Sequence, residues 1–249
     1  MEIRIKEVIS PDDGDLAQLS ALLSVTFADS NLWLGIHRVK EFLADPGPDR
    51  SFHIVVAREG DTMLGGTFFS CAAATGAGFS EYIVLTKEAR GKGLSRKLYD
   101  YRKALLDRSA RQFGHPGCPG LLIEVENPWR IPAKFHEREK QTAMDAMERW
   151  RYFHHMGFYR LEFPYVMPPL RPDLQPVHYL DLLLIPWSER LVVLDHVPAE
   201  FVLKSVAPTM LGWAPAYSKS ALENLRREFG GRPVRMVPLL EEERRYAQS

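Results

Sequence analysis

Ile83-Val84-Leu85-Thr86-Lys87-Glu88-Ala89-Arg90-Gly91-Lys92-Gly93-Leu94-Ser95 runs from a β-branched apolar stretch, through a basic turn with two glycines, into an amphipathic segment. That order reads as strand, turn and helix. Glycine tolerates positive φ and lets a ligand approach the main chain. The first amides of a helix have no intrahelical acceptor, so such a turn is a cradle for an anion. Arg90, Lys92 and the Ser95 hydroxyl add donors. The bare pattern also occurs as an ordinary helix start. The spacer and Gly-Lys-Ser/Thr ending of a nucleotide-triphosphate loop are missing, as is the dinucleotide fingerprint.

Beyond the turn, Leu94, Leu98, Tyr101 and Leu105 step by four, three and four, which predicts a helix to about Phe113, ending near Gly114 and Pro116. Gly120 then opens Leu121-Leu122-Ile123-Glu124-Val125-Glu126, a strand expected to be covered on both faces although two acids at alternate positions interrupt it. Upstream, residues 52–57 and 63–71 read as a hairpin across Glu59-Gly60-Asp61, and the small residues 72–78 connect it to the strand at 79–85. Ile3, Ile5 and Val8 suggest a first strand. Ser10-Pro11-Asp12-Asp13 then starts a helix carrying Leu16, Leu19, Leu22 and Leu23, and a second helix at 36–43 stops at Asp45-Pro46-Gly47-Pro48.

Downstream, residues 127–142 hold two prolines and many charges, and a long surface loop is expected there. A helix follows at 143–156, closed by Gly157, and then strands at 158–166 and 178–185 joined by a proline-rich link. Further on, the pattern suggests a strand at 191–194, a helix at 199–207 and another begun by the capping-box spacing Ser220-Ala221-Leu222-Glu223 and ended by Gly230-Gly231. The charge run 241–245 reads as a frayed terminus. The chain thus divides into a domain over 1–186 and a C-terminal extension over 187–249, expected to pack on that domain or on a second subunit of a homodimer.

The 249 residues are 45% hydrophobic and 26% charged, the composition of a globular protein with a core large enough to need no staple. Lys plus Arg and Asp plus Glu are both 32, so no long-range field draws the chain to nucleic acid or anionic lipid. Cys71 and Cys118 fit no zinc spacing and argue for a reducing compartment, the cytoplasm, with no metal expected. Residues 1–9 alternate charged and apolar side chains where a signal peptide would have an apolar run, and no stretch approaches the eighteen or so apolar residues of a membrane span.

Arg90-Gly91-Lys92-Gly93-Leu94-Ser95 resembles the Arg/Gln-x-x-Gly-x-Gly/Ala motif of the GNAT superfamily of acyl-CoA-dependent N-acyltransferases, with Ser95 replacing the last small residue. Ile83-Val84-Leu85 looks like that family's fourth strand and Leu122-Ile123-Glu124-Val125 like its fifth. Phe153-His154-His155-Met156-Gly157-Phe158 resembles the aromatic-x-x-x-Gly-Phe end of its fourth helix. The order of elements over about residues 1–186 is also similar. The resemblance implies an α+β (α/β) fold with a mixed, mostly antiparallel sheet flanked by helices. It also implies acetyl-CoA or another acyl-CoA as co-substrate, an amine acceptor and no metal. In the family, pyrophosphate lies on the amides of the turn, here those from Gly91 to Ser95. By the same resemblance pantetheine would lie along Ile83, Val84 and Leu85, and, as in the family, a main-chain amide near Leu85 would stabilise the oxyanion between two strands that splay apart.

Transfer to an amine needs a base for an ammonium of pKa about 10 and benefits from an acid for the thiolate. Glu124 occupies the strand position where some family members carry the base, and Glu126 lies on the same face; for either, pairing to an arginine or capping the following loop is the structural alternative, and Glu81, entering the fourth strand, is the reserve. Many members have a tyrosine four residues before the glycine of Gly-Phe, where Phe153 stands here and can donate nothing. Tyr152, one residue earlier, is the candidate acid, reaching the site through a local shift or π-bulge. His154 falls on the stripe Ala143, Met147, Trp150, His154 and is expected in the core. Trp129, Arg130, Lys134, Phe135, His136, Arg138 and Lys140 could read a carboxylated acceptor, with a solvated loop as the plain alternative. A non-catalytic acyl-CoA sensor and an amino-terminal protein acetyltransferase are the competing functions.

Overall fold

Ile3, Ile5 and Val8 lie on β1 (Ile3–Val8), at the edge of an antiparallel meander with β2 (Arg50–Glu59), β3 (Thr62–Ala72) and β4 (Gly78–Leu85). The computed structural model describes residues 3–247 apart from Ala28, Leu34 and Ala143, so the expected helix start at Ala143 and the first two residues of the amino-terminal reading lie outside the described residues. Between β1 and β2 come α1 (Asp15–Thr26) and α2 (Ile36–Ala44), and after β4 comes α3 (Leu94–Gln112). β5 (Gly120–Glu126) is followed by α4 (Ala133–Thr142), α5 (Ala146–His155), β6 (Tyr159–Leu161) and β7 (Leu180–Pro186). The chain then adds β8 (His196–Val197), α6 (Ala199–Trp213), α7 (Pro215–Phe229), β9 (Val234–Pro238) and α8 (Leu239–Ala247).

The strands form a nine-stranded sheet in the order β1-β2-β3-β4-β5-β7-β6-β9-β8, antiparallel throughout except for β4 beside β5. Period-two alternation sends neighbouring residues to opposite faces. Val55, Phe69, Leu121 and Ile123 pack with Leu98 and Leu106 of α3 and Trp150 of α5, whereas Ile54, Val56 and Phe68 pack with Leu16 and Leu19 of α1. Leu122, Leu182 and Leu184 meet Val202, Val206 and Met210 of α6. Covering both faces is why β5 reads as a nearly unbroken apolar run.

Several expectations are corrected beyond residue 126. The loop at 127–142 contains α4: Pro132 sits just ahead of the helix, where a missing N–H costs nothing, and its carbonyl accepts from Phe135 and His136. The charges that suggested a loop are its solvent face. Asp145 caps α5 by accepting from Met147 and Glu148. Only Tyr159–Leu161 of the expected strand 158–166 is extended in the sheet, while Phe163 and Tyr165 are buried without strand pairing. Residues 191–194 are no strand: Leu194 has a φ of 47°, and Val193 and Leu194 are exposed.

In the C-terminal segment, α6 runs through Pro208 to Trp213 rather than stopping near 207. α7 starts at Pro215, so Ser220 lies inside the helix and donates to the Tyr217 carbonyl instead of capping. The run 241–245 belongs to α8. β9, with the alternating sequence Val-Arg-Met-Val, joins the sheet through β6, and Trp150 donates its indole N–H to the Leu239 carbonyl at 3.0 Å. α6 packs on the same chain's sheet, with Ser70 bonded to Thr209 at 3.0 Å and Thr75 to Ser205 at 2.9 Å. Among the described residues no helix is long and apolar enough to cross a membrane.

Candidate functional site

β4 and β5 pair in parallel only over Gly78–Leu121, Phe79–Leu122 and Ser80–Ile123. Past Ser80, β4 stays with β3 to Leu85 and β5 stays with β7 to Glu126, so the two strands diverge into a V. A cavity of about 410 Å³ fills it, bounded by β4, β5, α3 and α5.

The glycine turn stands at the open end of this V, beyond Leu85. A 3-10 turn at Lys87–Ala89 leads to Gly91 (φ 71°) and Gly93 (φ 73°), and α3 begins at Leu94. A Cβ placed on either glycine meets nothing within 4 Å, so the outer face of the turn is open to a ligand. Arg90 donates to the Leu85 carbonyl at 3.2 Å, tying the turn to the end of β4. Ile83, Val84, Leu85, Arg90, Gly91, Gly93 and Ser95 all line the cavity. Lys92 is exposed and Leu94 is buried in the core, and neither lines it.

Glu124 stands on the β5 wall of the V, half-buried, and accepts a hydrogen bond from the Tyr165 hydroxyl. Burial raises its pKa to about 7; the Tyr165 bond opposes that rise, and the charges of Glu81 and Glu126 add to it. The rivals are engaged. Glu126 forms an ion pair with Arg149. Glu81 pairs with buried Arg50 at 3.3 Å and accepts from the Trp213 indole at 2.7 Å; burial raises its pKa, and Arg50 pulls the other way. A small cavity of about 40 Å³ next to Glu81 and Glu124 is lined on its far side by Thr209, Met210 and Trp213 of α6.

Tyr152 and Phe153 both line the main cavity from α5, a regular α-helix over these residues, so neither a shift nor a π-bulge is needed to bring Tyr152 there. His154 is half-buried outside the cavity rather than in the core. The basic residues of the 127–142 segment are not among those lining the V. Arg130 is tied to Asp181 and to the Leu180 carbonyl, and His136 pairs with Asp145 at 3.0 Å.

Three residues at the site escaped the sequence reading. Tyr165 carried no local signal, because its partner Glu124 is 41 residues away. Tyr99 and Arg102 did carry one: the buried stripe of α3 runs Leu94, Leu98, Arg102, Leu105 and Ser109, so an arginine holds the place that the spacing gave to Tyr101. A Glu7–His53–Ser109 chain, with distances of 2.7 and 2.8 Å, resembles a nucleophile-activating triad, but Ser109 is 1% exposed and borders neither cavity. It is a buried polar network under α3. Among the described residues no group of three or more His, Cys, Asp or Glu side chains is placed to hold a metal ion.

Tyr165→Phe is expected to move the Glu124 ionisation upward, since the lost hydrogen bond favours the carboxylate. The acid limb of a pH–rate profile should shift to higher pH, and an unmoved limb would disconnect Tyr165 from Glu124.

No protein-family model and no curated protein matches this sequence. Solved structures do. A Bacteroides thetaiotaomicron protein assigned to the GNAT family of acetyltransferases aligns over 92% of this chain and 98% of its own, with a TM-score of 0.53 and 14% identity. A Desulfovibrio desulfuricans protein assigned to the same family covers 74% of this chain and 99% of its own (TM-score 0.46, 17% identity). The yncA protein of Salmonella typhimurium, solved with acetyl-CoA, covers 78% of this chain and 98% of its own (TM-score 0.46, 14% identity). The fold of this chain, with its mostly antiparallel sheet flanked by helices, is the GNAT acetyltransferase fold.

Proposed function

We propose that this chain is an acyl-CoA-dependent N-acyltransferase of the cytoplasm that moves an acyl group, acetyl or longer, to a primary amine of a small molecule or protein. The observation that carries the reading is the V between β4 and β5, with an open glycine turn and helix start at one end and Glu124 on its wall. The amides from Gly91 to Ser95 suit a diphosphate because the first turn of α3 offers N–H groups and the positive end of its dipole. The free main-chain edge of Ile83, Val84 and Leu85 suits the amides of a pantetheine arm. The thioester supplies an electrophilic carbonyl and a leaving group.

Glu124 takes a proton from the ammonium, directly or through water, and the freed nitrogen attacks the carbonyl carbon. A main-chain amide near Leu85 stabilises the oxyanion. As the carbon–sulfur bond breaks, the thiolate leaves as coenzyme A with a proton from Tyr152 on the α5 wall, and the second proton shed by the nitrogen as the amide forms returns through water to restore Tyr152. A pKa of about 7 suits Glu124 to its task, half-ionised near neutrality and more basic than a free carboxylate.

Buried Phe153, with no proton to give, favours one second reading, a sensor that binds acyl-CoA without turnover. Release of free thiol from acetyl-CoA and longer acyl-CoAs, measured against a panel of amines, separates the two. The enzyme releases coenzyme A in step with an acylated amine; cofactor binding with no release under any acceptor contradicts catalysis.

A further inference from the structure

Arg102 is 2% exposed and lines the V from α3. Its Nη1 donates to Ser80 Oγ at 2.6 Å, its Cζ lies 5.4 Å from the centre of the Tyr99 ring, and its Nε has no acceptor. The titratable groups that face it are Tyr99, Tyr152 and Cys118, none of them a carboxylate. Other arginines with buried partners are matched by acids: Arg50 by Glu81, Arg58 by Asp15, Arg130 by Asp181 and Arg149 by Glu126. Among the described residues no acid pairs with Arg102. Burial lowers its pKa to about 10, which leaves it a cation at neutral pH. A buried cation without a counter-charge is unfavourable for the fold, and an open cavity beside it points to an anion supplied by a ligand.

The position says which part of the ligand that is. Ser80 is the last residue at which β4 still pairs with β5, so Arg102 marks the closed end of the V. It lies eight residues along α3 from Leu94, about 12 Å from the glycine turn at 1.5 Å per residue. With the diphosphate at the turn, the acyl chain is the part directed at the closed end. Resting on the acyl-CoA reading above, we infer that the acyl group this cleft accepts carries a terminal carboxylate, as in a short dicarboxylic acid monothioester, and that the Arg102 guanidinium receives it, steadied by Ser80 and Tyr99. The guanidinium fork suits a carboxylate, which two parallel N–H donors can hold.

Calorimetry on the full chain tests this with coenzyme A, butyryl-CoA and succinyl-CoA, the last two matched in chain length. Succinyl-CoA is expected to bind at least tenfold more tightly than butyryl-CoA. Arg102→Met should erase that preference while leaving the affinity for coenzyme A itself within about twofold, and Arg102→Lys should keep part of it. Should Arg102→Met not fold, Arg102→Lys and Ser80→Ala, each weakening succinyl-CoA but not butyryl-CoA, carry the test. Equal affinity for the two thioesters, or a preference that survives Arg102→Met, overturns the inference and leaves the acyl-CoA reading standing. An Arg102 effect confined to the KM of carboxylated acceptors overturns it too, by moving the carboxylate to the other substrate. Absence of binding by all three ligands overturns the acyl-CoA reading itself.

Discussion

Gly93→Asp abolishes coenzyme A binding on this account, with affinity falling at least about a hundredfold, the equivalent of some 3 kcal/mol. Gly93 has a φ of 73° immediately before α3, and a Cβ there meets nothing within 4 Å. The new side chain therefore collides with no part of the protein; its cost to the fold is the left-handed conformation of a non-glycine residue, about 1 kcal/mol and small for aspartate. It occupies the ligand's place instead. Aspartate at the start of a helix accepts from the same first-turn amides that would hold a diphosphate, and it sets a negative charge where another must come. Gly93→Ala adds the backbone cost without the charge and should lose far less. Circular dichroism should show both variants folded, and calorimetry showing wild-type affinity for Gly93→Asp would remove the turn as the diphosphate site.

Glu124→Gln is expected to lower kcat by about a hundredfold to a thousandfold while changing acyl-CoA affinity little, the range typical for loss of a positioned base. The glutamine carbonyl can still accept from Tyr165, so the wall of the V keeps its shape. In the unmutated chain the rate is expected to rise with pH through about 7 as Glu124 ionises, and the variant to lack that limb. Stability moves the opposite way. A carboxyl whose folded pKa lies near 7, above its value of 4.5 when unfolded, favours the fold below pH 4.5, and this advantage is lost as pH rises through 7. Above pH 7 the ionised group costs the fold on the order of 3 kcal/mol at about 1.4 kcal/mol per pKa unit, so Glu124→Gln should be less active yet more resistant to urea at pH 8. Equal rates for variant and parent at every pH would exclude Glu124 as the base.

Residues 3–126 were legible because their signals are local: leucine spacing in α1 and α3, alternation in β2 and β3, and glycines at the turns. Ile83, Val84, Leu85, Arg90, Gly91, Gly93 and Ser95 line the same cleft as the two acids of β5. The divergence of β4 from β5 was not legible, since both strands keep regular pairing on their other sides and nothing in their composition marks where the shared pairing ends. After residue 126 the signals misled. Polar faces made α4 resemble a loop and α8 a frayed terminus, α6 continues through Pro208 past the end expected at 207, and a capping-box spacing fell inside α7. Tyr165 and Trp213 reach the site through contacts 41 and 132 residues apart, which no windowed pattern contains. Arg102 was visible in principle as the one charge on the apolar stripe of α3.

The most direct test is a crystal structure of the full chain with a non-hydrolysable acyl-CoA analogue. Diphosphate oxygens are expected within about 3 Å of the amides from Gly91 to Ser95, the sulfur between β4 and β5, and the Glu124 carboxylate facing the reacting carbon across a space fit for an amine or one water. A ligand bound elsewhere on the molecule, or a diphosphate that leaves those amides untouched, would contradict it.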